Sequence, residues 1–378
     1  MRLLPGPRED DAATPTAEAV RRDYAVVLGR ADVAATDSFA GLGGDSLSYV
    51  ELATRLGRRL GDLPPDWHTR PVHDLVARTA QRSGVRLDTS VVLRALAIVA
   101  IVGTHANLLT VVGGAHVLLA VAGFNFARFQ LAGETRERRL RHGLASLAQL
   151  VLPATVWIAG VALLTGYYSP ATAVFLNGLL GSDSWTVQWQ FWFLEALVWL
   201  TVLALALVAV PALDRLERRT PWGVALGLVL VALAVRFAWV GLQAGTTGRY
   251  TIGVVALWFA LGWAATRADT RPRRWAVVGL AALGTIGFFG DPVREALVVA
   301  GVALLVMVPT LRVPCRVVGA VSTLASASLF VYLTHWQVYP HLEDSWPLLA
   351  TLLSLVVGIG YWWLSRPVLR AVGRRLRG

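Results

Sequence analysis

From residue 90 to residue 365 the chain runs through one apolar segment after another, each long enough to cross a bilayer, whereas residues 1–86 are polar and charged. In hydrocarbon a backbone must satisfy its own hydrogen bonds, so segments of this length read as spanning helices. They fall at 90–109, 113–131, 144–165, 186–210, 221–241, 249–266, 275–290, 294–311, 318–339 and 346–365. The stretch "PATAVFLNGLLG" at 170–181 is apolar but too short to span, and reads as an outer re-entrant or interfacial segment. With 55% of 378 residues hydrophobic, 16% charged and a mean hydropathy of +0.56, the chain lies outside the range of ordinary soluble domains. The expected fold is all-α: a small helical bundle, then a polytopic transmembrane helix bundle of about ten spans.

The net charge of +11 comes from arginine, since the chain has no lysine. Counted from a cytoplasmic N-terminus, the inner loops hold Arg136, Arg138, Arg139 and Arg141, then Arg215, Arg218 and Arg219, then Arg267, Arg271, Arg273 and Arg274, then Arg312 and Arg316. The tail adds Arg366, Arg370, Arg374, Arg375 and Arg377, whereas the outer loops offer Arg249 and Arg294 beside the acidic "PHLEDSW" at 340–346. This asymmetry predicts a multi-pass protein of the cell membrane with both termini in the cytoplasm. It also accounts for the charge without nucleic acid, which is not expected as a partner. Met1 to Asp11 contains no apolar stretch, so no signal peptide is expected and the polar segment should stay inside. Cys315 stands alone, which excludes an intramolecular disulfide and zinc sites built on several cysteines, and no metal is expected.

In the polar segment, residues 17–29 predict a helix with an apolar stripe at Val20, Tyr24, Val27 and Leu28. After a loop through 30–45, a second helix is expected from Ser46, with Asp45 and Ser46 as helix-start residue types and Leu47, Val50, Leu52 and Leu56 behind them. Taken by itself this is an N-capped helix in a small bundle. The stretch "DSFAGLGGDSLSYVELATRL", however, resembles the attachment segment of phosphopantetheine carrier domains, the peptidyl type more closely than the fatty-acid type, and "WHTRPVHDLVARTA" resembles their closing helix. The resemblance covers about residues 14–83. It implies that Ser46 carries 4'-phosphopantetheine through a phosphodiester and holds an acyl or aminoacyl group as a thioester. It also implies a phosphopantetheinyl transferase and a separate adenylating or acyl-loading enzyme as partners. A hydroxyl at a helix N-terminus is a favourable place for a phosphate.

The first span, "SVVLRALAIVAIVGTHANLL", contains Arg94 and His105, and ionisable side chains inside a span are functional candidates by default. Eleven residues are about three helical turns, so both lie on one face, about 16 Å apart along the axis. Arg94 snorkelling to the inner headgroups and an idle His105 at the outer interface would meet the same spacing. The pair resembles the defining motif of the family-3 integral-membrane acyltransferases. Ordered matches follow in "HVLLAVAGFNFARF", "RERRLRHGLASLAQLVLP", "WQFWFLEALVWL" and "SASLFVYLTHWQV", so that the resemblance covers about residues 87–366. In the fourth span, where many relatives have Trp-Ser-Leu before a Glu, this chain has Trp185-Thr186-Val187 and then Glu195.

The resemblance implies an acyltransferase with His105 as the base and Glu195 orienting it or sharing its proton. Gln188, Trp192 and Glu195 fall at i, i+4 and i+7, an inward stripe, although Glu195 as a structural partner of Arg128 or Arg236 fits the sequence too. Gln188 and His335 are candidates for the acceptor pocket. Arg94 is the candidate seat for the cofactor's phosphate, and Arg138, Arg139 and Arg141 flank the inner mouth, for that phosphate or for the carrier. The expected domains are a cytoplasmic carrier at 1–83, a linker at 84–89, an acyltransferase domain at 90–366 and a basic tail at 367–378. The function that follows is transfer from the chain's own carrier to a hydroxyl or amine of a glycan, lipid or small-molecule acceptor. A carrier anchored for a biosynthetic assembly without catalysis of its own, or a transporter of a lipid-linked product, are the alternatives.

Overall fold

The computed structural model describes residues 17–30, 32–61, 63–76, 85–133, 135–181, 184–245 and 247–377. The Met1–Asp11 segment, the end of the closing helix at 77–80 and the first linker position lie outside them, as do the side chains of Ser46 and Leu47.

The N-terminal part consists of α1 (Ala17–Leu28), α2 (Ser46–Leu60), a 3-10 turn at Trp67–Thr69 and the short α3 (Val72–Val76). Val20, Tyr24, Val27 and Leu28 of α1 pack on Val50, Leu52 and Leu56 of α2, as their spacing predicts. This core does not close on itself. Val91, Ala95, Phe129 and Ala325, which belong to the C-terminal bundle, complete it, with Phe129 meeting the ring of Phe39 edge-on at 5.8 Å.

Four of the six positions expected as linker form a strand, β1 (Val85–Asp88), paired antiparallel with β2 (Thr310–Val313). The sequence is too polar to span, yet its alternating pattern suits a strand edge-paired to a distant loop. Residues 85–88 of the connection are therefore ordered backbone ladder.

The C-terminal part contains α4 (Thr89–His105), α5 (Gly114–Phe129), α6 (Arg136–Thr165), α7 (Pro170–Ala173), α8 (Asn177–Leu180), α9 (Trp192–Ala209), α10 (Pro211–Arg219), α11 (Pro221–Val240), α12 (Ile252–Arg267), α13 (Arg271–Thr285), α14 (Pro292–Met307), α15 (Cys315–Thr334) and α16 (Pro347–Arg377). A helix stands in each of the ten segments expected to span. Among the described residues six of them, α5, α6, α9, α11, α15 and α16 with their short 3-10 extensions, are long and apolar enough to cross a membrane, while α4 is apolar but shorter. The six are what length and composition establish. The segment at 170–181 is two short helices joined at Phe175.

α5 and α12 pack backbone to backbone. A Cβ on Gly123 would stand 1.9 Å from the Phe259 carbonyl, and one on Gly262 would stand 1.8 Å from that of Ala120. Such small-residue contact is how helices associate closely where lipid offers no hydrophobic drive. It fixes α5, which lines both cavities described next.

Candidate functional site

α4 begins on a firm cap: Asp88 accepts from the Ser90 amide at 2.9 Å and the Ser90 hydroxyl at 2.6 Å, a contribution of about 1 kcal/mol. Arg94 lies one turn in and His105 is the last residue of the helix. The two side chains line different cavities. At the carrier end, Arg94, Asp45, Asn125, Gln149, Phe193 and Ser328 surround a space of about 140 Å³, and Arg94 donates to the Ser328 hydroxyl at 3.2 Å. At the far end, His105 shares a space of about 210 Å³ with Trp185, Trp192, Tyr250, Tyr332 and Trp336.

The partner of His105 is His335, 230 residues away. His105 Nδ1 and His335 Nε2 are 3.0 Å apart, with the rings nearly coplanar at 6°. His335 Nδ1 faces the carbonyls of Tyr332 at 2.8 Å and Val331 at 3.2 Å. Carbonyls only accept, so Nδ1 of His335 carries its hydrogen and Nε2 offers a lone pair. His105 Nδ1–H then donates to it, and His105 Nε2 is left as a basic nitrogen. The arrangement fixes a tautomer as the carboxylate of a catalytic triad does, but with a neutral imidazole tied to backbone. A polar chain holds the segment around it: Trp157 donates to Gln337, Gln337 to Tyr168 and Tyr168 to Gln190, while the Tyr332 hydroxyl donates to the Gln190 carbonyl at 2.9 Å. Gln190, Gln337 and Tyr168 escaped the sequence reading, since none is conspicuous without knowledge of its neighbours.

Glu195 is not joined to His105. Its carboxylate accepts from the Gly178 amide at 2.7 Å and so straps α8 to α9. Nor does it pair with Arg128 or Arg236, for the first holds Asp88 and the second donates to the carbonyls of Gly284, Gly241 and Leu242. Gln188 accepts from the Ser169 amide at 2.9 Å and the Thr172 hydroxyl at 2.5 Å, fixing the neighbouring loop, and lines neither cavity. The expected inward stripe fails because 187–191 is 3-10 and the α-helix starts only at Trp192, which changes the angle between them.

At the carrier end, Asp45 and Ser48 cap α2 reciprocally: the Ser48 amide donates to Asp45 Oδ1 and the Asp45 amide to the Ser48 hydroxyl, both at 2.9 Å. Capping thus falls to Asp45 and Ser48, and Ser46 is the first helical residue. Asp45, the residue before it, is buried in the wall of the Arg94 cavity. A phosphate ester at a helix start beside a guanidinium-lined cavity is compatible with these donors. Arg138 and Arg141 are exposed and line neither cavity. Arg139 is buried on Asp214 at 3.2 Å and Glu217 at 2.7 Å.

The two parts are bolted together by charge. Arg128 of α5 binds Asp88 at 2.6 Å, the Tyr49 hydroxyl at 3.2 Å and His68 Nε2 at 3.1 Å. Burial works against ionisation of Asp88, yet Arg128 and the Ser90 donors outweigh it and hold the carboxyl below the usual carboxylate range. Burial, reinforced by the Arg128 charge, lowers His68 to about 3, so this imidazole is neutral in ordinary buffers. Elsewhere Thr54 donates to Ser322 at 2.9 Å, and Glu51 meets Arg366 at 2.5 Å and Arg370 at 3.0 Å.

A family model described as an acyltransferase domain matches residues 88–369, and one described as a phosphopantetheine attachment site matches residues 18–67. Comparison with curated proteins and with solved structures returned no match.

Proposed function

The chain belongs to acyltransferase family 3 and bears a phosphopantetheine carrier domain ahead of it, and from that premise we propose that it transfers an acyl or aminoacyl group from its own carrier to a hydroxyl or amine acceptor. The observation that carries this reading is the docking: Asp45, next to the attachment serine Ser46, lines the same cavity as Arg94, on the helix that ends in His105. The ten helices are the ten spans of the bundle, with both termini and the carrier in the cytoplasm, where arming and acyl-loading enzymes work.

When bound on Ser46, the phosphopantetheine arm supplies the acyl group as a thioester. Arg94 holds its phosphate by charge. His105 Nε2 takes the proton of the acceptor hydroxyl or amine as that oxygen or nitrogen bonds to the acyl carbon. His105 is placed to return that proton to the arm's sulfur, which would leave as the acyl carbon bonds to the acceptor. His335 stabilises the imidazolium by accepting from Nδ1–H, and the aromatic wall keeps water from competing as acceptor. Glu195 acts at a distance, by holding α8 against α9. Glycans, lipids and small molecules all remain within the chemistry of this site.

The test uses the full-length protein in detergent, armed with coenzyme A by a phosphopantetheinyl transferase and loaded by cell extract. Intact mass should show the arm and an acyl increment on wild type and on His105→Ala but not on Ser46→Ala. Addition of membrane and soluble fractions should discharge the acyl group from wild type alone. Equal product formation by Ser46→Ala supplied with coenzyme A thioesters would rule out the carrier as donor.

A further inference from the structure

The cavities at the two ends of the bundle share four helices. α4 contributes Arg94 to one and His105 to the other, α5 Asn125 and His116, α9 Phe193 and Trp192, and α15 Ser328 and Tyr332. Aromatic contacts centred on Phe193 stand between them, one of them with Trp192 of the His105 cavity at 6.2 Å. Phe193, in the wall of the carrier-end cavity, meets Tyr332, in the wall of the His105 cavity, with centroids 5.0 Å apart at 64°. Tyr332 is pinned there by its bond to the Gln190 carbonyl, whereas Phe193 is held by packing alone.

The carrier-end cavity has a second unexplained feature. Asn125 is 7% exposed, and its side-chain oxygen has no hydrogen-bond partner. A buried acceptor left empty is costly, about 1–3 kcal/mol, and is explained when a ligand brings the donor. The rest of the lining mixes charged Asp45 and Arg94 with apolar side chains such as Leu197 and Phe193.

We propose that the carrier-end cavity is the binding site of the pantetheine part of the arm, that Asn125 receives an amide N–H of the arm, and that Phe193 is the door through which only the thioester end reaches His105. This rests on the proposed carrier-to-acceptor transfer and names the residues of the passage. Phe193 and Tyr332 thereby determine which acyl groups pass: a small or flat group slips past the displaced Phe193 ring, while a branched one is arrested short of His105. Phe193 is a positioning residue, since it takes no part in proton transfer.

The test needs no acceptor and no catalysis. In holo-protein with exposed Cys315 replaced by serine, the free thiol on Ser46 is offered a cysteine at one of three places: Leu197→Cys in the carrier-end cavity, Thr104→Cys in the far cavity, and Leu164→Cys on the 88% exposed surface of α6. Diamide takes the two electrons and two protons as each disulfide forms, and peptide mass spectrometry reads the crosslink to the Ser46 peptide. Leu197→Cys should link fastest, Thr104→Cys slowly and Leu164→Cys not at all. Asn125→Leu should slow the Leu197→Cys link. Phe193→Ala should speed the Thr104→Cys link by roughly three- to tenfold, the factor an aromatic pair is worth, and Phe193→Leu by less, with Leu164→Cys still unlinked in both as the check on folding.

Linking at Leu197→Cys no faster than at Leu164→Cys overturns the seat. An unchanged Thr104→Cys rate in both Phe193 variants overturns the door. His105→Ala should leave the Leu197→Cys linking rate alone, so a protein that links there as expected yet never discharges an acyl group defeats the proposed function while the passage stands.

Discussion

The two ends of the bundle are made of different materials. At the carrier end, charge takes part in the contacts: Glu51 meets Arg366 and Arg370, Arg94 lies beside Asp45, and Arg128, paired with Asp88 of the connecting strand, donates to Tyr49 and His68. Around His105 the neighbours are His335, Trp336 and Tyr339, and the orienting bond runs between two imidazoles. Charge suits an interface that must form and release, because the partners are rehydrated when they part. Aromatic surface with neutral hydrogen bonds suits a place where a base must keep its lone pair and water must stay out. The difference accords with the proposed function, in which one end docks the carrier and the other does the chemistry.

That assignment can be broken most decisively at His105. His105→Ala should lower single-turnover discharge by about 10²- to 10⁴-fold, the usual contribution of a general base. Docking, read as disulfide formation between cysteines placed at 54 and 322, should not change. Next in size is Asp88→Asn, which leaves Arg128 as a buried charge without its counter-ion, at a cost of about 3–5 kcal/mol. Here the 54–322 disulfide should form far more slowly, whereas the His105–His335 bond, followed by histidine NMR, should persist. An effect of either variant on the opposite end would dissolve the comparison.

A pH series sharpens it. His68 is depressed to about 3 in the folded chain from an ordinary 6.5, so between those values the unfolded or undocked carrier binds a proton that the docked one does not. Docking should therefore be strongest above about pH 6.5 and weaken as the pH falls toward 3. Asp88, held below the usual carboxylate range, adds to the loss only below about pH 4, when its own proton returns. His68→Gln should flatten the upper part of this profile in the 54–322 assay, and a profile of unaltered steepness would remove His68 from the latch. The smallest effect belongs to Glu51→Gln: its ion pairs are partly exposed, and docking should weaken by only about 0.2–1 kcal/mol, more at low salt than at high.

Much of this plan is legible in the sequence because it depends on short-range pattern. The helix positions follow from apolar runs, the α1 and α2 stripes from a period near 3.6, and the common face of Arg94 and His105 from their spacing. What escapes is long-range or depends on local winding. Nothing near His105 announces His335, since their bond closes a separation of 230 residues. The strand in the linker needs a partner more than 200 positions later. Gln188 stands off the face of Trp192 and Glu195 for a different reason: the chain winds as 3-10 through 187–191, so α-helical spacing does not carry back to it. Arg139 shows a third limit, because a loop arginine that helps set orientation can also be buried on Asp214 and Glu217.

On the proposed function donor and base belong to one molecule, with β1 laddered to β2 just ahead of the helix that bears His105, and a reactant built into its own catalyst has no concentration. Kinetics in this protein should then saturate in acceptor alone. The role that a Michaelis constant plays for a diffusing donor passes to occupancy, the fraction of molecules carrying a charged arm. On that reading each molecule would discharge once per loading, and with acceptor in excess turnover should follow the reloading step.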